Sequence, residues 1–222
     1  SNTGSADVLE QLGVNIDAPA DVVTRCLDEI GLCFCFARTM HPAMRHVAPV
    51  RAELGIRTIF NLLGPLSNPA GAEFQLLGTG MAEVREKLAQ ALLMLNTERA
   101  VLITGEEGLG EVTPAGDTAV TIAEDGELHE TTWTPEDFGV PSQSLQALQV
   151  EDAVASAAVI RDVLAGQPGP AREMVVLNAA AALWTARRDD SPQRCAELAS
   201  EAIDSGAAQR QLAKLVEVSQ GK

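Results

Sequence analysis

Apolar positions follow helical spacing at both ends of the chain and shorter, strand-like runs in its middle. Val22, Val23, Cys26, Leu27 and Ile30 recur at intervals of three and four, which predicts an amphipathic helix opened by Pro19 and stopped at Gly31. A shorter helix is predicted over Ser5 to Leu12, with Ser5 as its cap, Asp7 in its first turn and Gly13 at its end. After the apolar run Leu32 to Ala37, residues His41 to Leu54 read as helix interrupted at Pro49, because proline lacks a donor and disfavours helix before it; Gly55 closes the segment.

Gln75 to Gly78 is predicted as a strand, Ala82 to Leu95 as a helix, and Ala100 to Thr104 as an apolar strand ending at Gly105. Together they make a strand-helix-strand unit. Thr118 to Ala123 and Glu127 to Trp133 are β-rich runs joined through Glu124-Asp125-Gly126, a hairpin signal. Beyond Val150 the pattern is helical: Asp152 to Leu164, Ala171 to Arg187, and Pro192 to Val218 with a break near Ser205-Gly206. The expected fold is α/β, a largely parallel central sheet flanked by helices with a β-hairpin insertion. No repeat, low-complexity tract or long linker divides the 222 residues, so they are expected to form one α/β domain. Such sheets usually begin with a strand carrying a ligand loop, whereas this chain begins with a helix; the domain is therefore expected to be incomplete at its N-terminus.

Composition narrows the partners. Thirty-one acidic against sixteen basic residues give a formal charge of -15, and no basic run offsets it, which argues against nucleic acid and anionic membrane surfaces. A local phosphate-binding pocket is compatible with that charge, since a few residues decide it. The N-terminus lacks a basic start and apolar stretch, and no run of about eighteen apolar residues occurs, so the expectation is a cytoplasmic protein. Cys26, Cys33, Cys35 and Cys195 have neither CxxC pairing nor zinc-site spacing and are read as packed, free thiols.

The most unusual stretch is His41-Pro42-Ala43-Met44-Arg45-His46, then Pro49-Val50-Arg51, Arg57-Thr58 and Phe60-Asn61-Leu62-Leu63-Gly64-Pro65-Leu66-Ser67-Asn68-Pro69. Residue by residue it reads as turn punctuation and solvated charge, with Asn68-Pro69 starting a turn. As an ordered string it closely resembles the corresponding segment of the anthranilate phosphoribosyltransferase family. Gly4 to Glu10 matches that family's preceding helix, and the resemblance continues through Phe74 to Gly78 and Thr104 to Thr118.

The resemblance implies transfer of a phosphoribosyl group from phosphoribosyl pyrophosphate to the amine of anthranilate, a step of tryptophan biosynthesis, with Mg2+ on the pyrophosphate and no covalent nucleophile. Arg51 matches the arginine that engages the anthranilate carboxylate, a role suited to a planar guanidinium. His41 matches a residue near the aromatic substrate, and Gly64 and Pro65 match a hinge lining the same tunnel, with residues 38–54 a helical segment leading toward a further N-terminal domain. Ser1 and Thr3 fall where the family places small hydroxyl residues near its phosphate-binding loop. Homodimers are usual in the family.

Two departures qualify what the resemblance implies. Where the family reads His-Gly-x-x-Gly-Leu-Asp-Glu, this chain has Thr104 to Glu111, so that Gly110 replaces the aspartate and Glu111 is left as the candidate metal ligand. The family's Gly-Thr-Gly-Gly-Asp, Asn-x-Ser-Thr and Lys-His-Gly-Asn-Arg elements have no counterpart here, and Gly78-Thr79-Gly80 completes no phosphate loop. Two further readings stay open: a non-catalytic paralogue serving as a binding or assembly module, and a related phosphorylase or transferase acting on a nucleobase.

Overall fold

In a computed structural model, the structure describes residues 4–41, 47, 53, 55 and 60–221. They divide into two compact units, one of residues 1–64, 150–166 and 203–222, the other of residues 65–149 and 167–202.

The first unit is helical. It contains α1 (Ser5–Gln11), α2 (Ala20–Ile30), α3 (Ala37–Met40), α6 (Ala153–Leu164) and α9 (Ala207–Ser219). Val14, Cys26, Leu215 and Val218 form a buried cluster, against which Leu9, Val22, Ile30, Cys33, Leu212 and Val216 pack. Of the five apolar positions that predict α2, four join this core or lie buried, while Leu27 stays exposed. Helix ends leave carbonyls without intrahelical donors, and here side chains from distant parts of the chain supply them. Arg161 donates to the Gln11 carbonyl at 2.6 Å, Arg25 to that of Val218 at 3.0 Å, and Gln220 to that of Gly13 at 3.0 Å; Gln211 donates to the Ile30 carbonyl. The Asn15 amide in turn donates to Ser219 Oγ at 3.1 Å. Ser5 is not the cap of α1 but its first helical residue: the cap position is Gly4, whose amide donates to the Asp7 carboxylate at 2.9 Å. α6 does begin as predicted, with Asp152 accepting from the Ala155 amide at 2.7 Å.

The second unit is built on a four-stranded sheet in the order β1 (Phe74–Gly78), β2 (Arg99–Gly105), β3 (Thr118–Glu124), β4 (Glu127–Trp133). β1 and β2 are parallel, joined across α5 (Ala82–Met94), which packs on β2 and β3; β2–β3 and β3–β4 are antiparallel. The α/β class and the hairpin are as expected, but among the described residues the sheet is mixed, since only one of its three pairings is parallel. Among the described residues the hairpin joins the sheet through β3, which pairs directly with β2 over its whole length.

Burial explains the strand assignments. Every position of β2 is buried, so both faces of this strand are covered, and Val101, Leu102 and Ile103 contribute the largest apolar groups there. α7 (Pro170–Thr185) packs on β1 and β2. β4 is mostly exposed, as an edge strand is, until Trp133. Trp133 meets Phe138 and Trp184 edge to face at 5.4 and 5.1 Å, and the Arg99 guanidinium lies 4.1 Å above the Trp184 ring while pairing with Glu124. Arg85 of α5 donates to Thr121 at 2.8 Å, and Thr121 to Glu130 at 2.6 Å, which ties the helix to β3 and β4. The hairpin turn has positive φ at both Asp125 (50°) and Gly126 (81°), the conformation a two-residue turn between right-twisted strands requires.

Two helices carry the chain between units. α4 (Phe60–Leu66) does so between Gly64 and Pro65, and α8 (Pro192–Asp204) between residues 202 and 203. α8 and α9 are separated at Gly206, where the sequence predicts a break. Among the described residues, no helix is long and apolar enough to cross a membrane. All four cysteines are free.

Candidate functional site

Parallel strands bring their carboxyl ends to one edge of a sheet, and α/β domains place ligands there. β1 ends at Gly78 and β2 at Gly105, and residues 106–117 form the loop that leaves this edge before β3 returns. The loop is closely held. Gly105 donates to the Leu109 carbonyl at 2.9 Å and Gly108 to that of Gly105 at 2.8 Å, which folds residues 105–109 into a tight turn. Glu106 donates through its amide to the Asp117 carbonyl at 2.9 Å, closing the loop at its base. The Thr113 amide donates to Thr118 Oγ1 at 3.0 Å and the Ala115 amide to Thr113 Oγ1 at 3.1 Å, so two buried threonines satisfy backbone that has no ladder partner.

Two contacts from outside complete the framework. At the end of β1 the backbone runs so near the loop that a Cβ on Gly78 would lie 1.5 Å from the Gly110 carbonyl oxygen, and one on Gly80 2.6 Å from that of Gly108. Neither position admits a side chain without moving backbone. On the other flank, Asn178 of α7 accepts from the Val112 amide at 2.9 Å and donates to the Val112 carbonyl at 3.1 Å.

The loop carries Glu106, Glu107 and Glu111, all exposed. Glu106 extends across Gly116: a Cβ there would meet its carboxylate at 2.7 Å. Among the described residues, no three His, Cys, Asp or Glu side chains are grouped closely enough to hold a metal ion. Magnesium nevertheless needs few protein ligands, being held by one or two carboxylates together with phosphate oxygens and water. A single exposed Glu111 fits an ion that arrives on a polyphosphate, and does not fit a resident metal centre.

Of the residues singled out from the sequence, His41 directly follows α3, half-buried, with its amide bonded to the Ala37 carbonyl at 3.0 Å. Gly64 and Pro65 lie inside α4. That helix is not foreseen by the sequence pattern, which makes turn formers of both. Gly64 is helical here and uses none of its access to positive φ. The turn at Asn68 is as expected, its side chain accepting from the Ala70 amide at 3.0 Å. Arg51, Ser1 and Thr3, and nearly all of residues 42–59, lie outside the described residues. Sequence reasoning missed Asn178 and the Gly78 approach. The signal for the first was an amide within the apolar run Val175 to Leu183; for the second, a glycine doublet dismissed because it built no phosphate loop.

Two parallel strands that end at a closely hydrogen-bonded, carboxylate-bearing loop form the arrangement at which α/β domains generally place ligands. Residues 1–209 match the family described as glycosyl transferase family, a/b domain, and the chain belongs to that family. It is 46% identical over 216 residues to an anthranilate phosphoribosyltransferase of Nitrosomonas europaea, covering 97% of this chain and 63% of that protein. The crystal structure of the Thermus thermophilus anthranilate phosphoribosyltransferase superposes with a TM-score of 0.89 at 41% identity, over 98% of this chain and 64% of that one. The Saccharomyces cerevisiae enzyme in complex with PRPP and Mg superposes with a TM-score of 0.90 at 25% identity, over 99% and 64% of the two chains; the same enzyme is also solved with 4-fluoroanthranilate. The chain thus spans a little under two thirds of the length of these relatives.

Proposed function

We propose that this chain is the larger part of an anthranilate phosphoribosyltransferase, which transfers the phosphoribosyl group of phosphoribosyl pyrophosphate to the amine of anthranilate and releases pyrophosphate, as in tryptophan biosynthesis. The observation that carries the reading is sequence identity to enzymes of that name along almost the whole chain.

In the reaction the anthranilate nitrogen forms a bond to the ribose carbon as the carbon–oxygen bond to pyrophosphate breaks; pyrophosphate leaves with the electron pair, and the amine gives up a proton. The protein's task is alignment and electrostatic stabilisation. Arg51 would hold the anthranilate carboxylate by paired N–H donors. His41 would border the aromatic ring. Gly64 and Pro65 would act as the hinge, a role supported by the chain passing from one compact unit to the other between them. Ser1 and Thr3 would lie beside the phosphates. Glu111 would accept Mg2+, which when bound offsets the charge developing on pyrophosphate. We further propose a cytoplasmic setting, a homodimer for the complete protein, and one α/β domain incomplete at its N-terminus.

The test is product formation. Anthranilate, phosphoribosyl pyrophosphate and Mg2+ should give phosphoribosyl anthranilate with the complete protein, and Glu111→Gln should raise the Mg2+ concentration needed.

A further inference from the structure

Asn178 is the one described side chain that grips the carboxylate loop from another element through both polar groups of a single peptide residue. Its Oδ1 accepts from the Val112 amide at 2.9 Å, and its Nδ2 donates to the Val112 carbonyl at 3.1 Å and to the Met174 carbonyl, one turn earlier in α7, at 3.0 Å. Val112 adjoins Glu111 and is fully buried, as are Thr113 and Thr118 beyond it. No water can readily replace the amide partner at such a place, so its loss would leave backbone groups unpaired.

The chemistry selects this side chain. Only a primary amide offers an acceptor and two donors on one rigid plane, and so can imitate a neighbouring strand toward one residue while bonding its own helix. The third bond, to Met174, fixes the plane. Leu177 and Ala181, on the same helix, are fully buried, so the helix carrying the amide is itself immobilised. Two residues before Val112, the Gly78 backbone closes on Gly110. Glu111 therefore stands between two fixed points, one residue from each: Gly110 against β1 and Val112 against α7.

We propose that Asn178 is a positioning residue which, by clamping Val112 to α7, sets where the Glu111 carboxylate meets the magnesium–pyrophosphate end of the substrate. This rests on Glu111 being the metal-facing carboxylate, and the test separates the two.

Asn178→Leu removes these hydrogen bonds, together with the longer one from Nδ2 to Met174 Sδ at 3.5 Å, at nearly constant volume, and Asn178→Asp keeps an acceptor for the Val112 amide while removing the donors. Hydrogen exchange of the chain itself is read first. In Asn178→Leu the Val112 amide should exchange about tenfold or more faster, as loss of one hydrogen bond to a buried group gives, while Val101 to Ile103 keep their protection; in Asn178→Asp it should stay protected. Unchanged Val112 exchange in Asn178→Leu overturns the clamp. Should Asn178→Leu fail to fold, Asn178→Asp carries the second measurement. There, in the complete protein, either variant should raise the Mg2+ concentration for half-maximal turnover several-fold, Asn178→Asp because its carboxylate repels the Val112 carbonyl to which the amide donates, with the KM for anthranilate nearly unchanged. If Glu111→Gln shifts the Mg2+ dependence and the Asn178 variants do not, positioning by Asn178 is wrong and the assignment of Glu111 stands. If Glu111→Gln shifts nothing, that assignment fails and the proposal with it.

Discussion

Gly78 and Gly110, at the end of one strand and in the loop after the next, approach so closely that a Cβ on Gly78 would overlap the Gly110 carbonyl oxygen at 1.5 Å. The obstacle is backbone on both sides, so no rotamer change relieves it. Gly78→Ala is expected to cost roughly 3 kcal/mol or more, at the upper end of overpacking substitutions, seen as a lower urea midpoint. Gly64→Ala is the contrast: nothing lies within 4 Å of its would-be Cβ and the residue is helical, so it should stabilise by about 0.5–1 kcal/mol. If Gly64 serves as a hinge, the same variant should lower turnover while raising stability.

The relation is not symmetrical. A Cβ on Gly110 would meet the Gly78 carbonyl carbon at 3.2 Å, tight but relieved by a shift of a few tenths of an ångström. Gly110→Asp, which restores the aspartate of the resembling family, should therefore fold at a cost of about 1–3 kcal/mol, less than Gly78→Ala. In the complete protein it should lower the Mg2+ requirement by roughly tenfold, the weight of one added charged ligand contact. A Mg2+ titration of turnover that does not move would place the metal elsewhere.

Arg51→Ala should raise the KM for anthranilate by the loss of about 1–3 kcal/mol, as removal of a charge-assisted hydrogen bond does. Arg51→Lys should recover little of it, because an ammonium cannot match a carboxylate with two parallel donors. An unchanged KM in the alanine variant would remove the carboxylate argument and favour a different acceptor.

Burial first, and then the Cys35 thiol 3.9 Å away, push the Cys33 thiol up from its usual 9.0 to about 11. The folded chain thus keeps a proton that the unfolded chain has released between these values. The stability from this difference is complete below about pH 9 and is lost as pH rises toward about 11. Urea unfolding at intervals across that window should show the wild type losing more stability than Cys33→Ser. Equal slopes would contradict it. Cys33 should also alkylate slowly at pH 9, because the thiolate is the reactive form.

The elements legible in the sequence are those whose signals are local. Asp152 announces its helix because an N-cap acts within one turn, and Asp125-Gly126 announces the hairpin because the turn needs positive φ at both residues. Ser5 misled because Asp7, three residues after Gly4, supplies the cap instead. α4 escaped because glycine and proline near the end of a seven-residue helix look like turn punctuation. The candidate site was legible in its chemical groups, not in its support. Asn178 reaches a residue 66 positions away, and Gly78 earns its place only through Gly110; spacing along a chain carries neither relation.

The decisive measurement is phosphoribosyl anthranilate formation from anthranilate and phosphoribosyl pyrophosphate, with and without Mg2+, using this chain together with whatever its gene encodes upstream. Mg2+-dependent formation of that product is expected. A folded, complete protein that makes none would contradict the transferase assignment and leave the scaffold as a binding or assembly module.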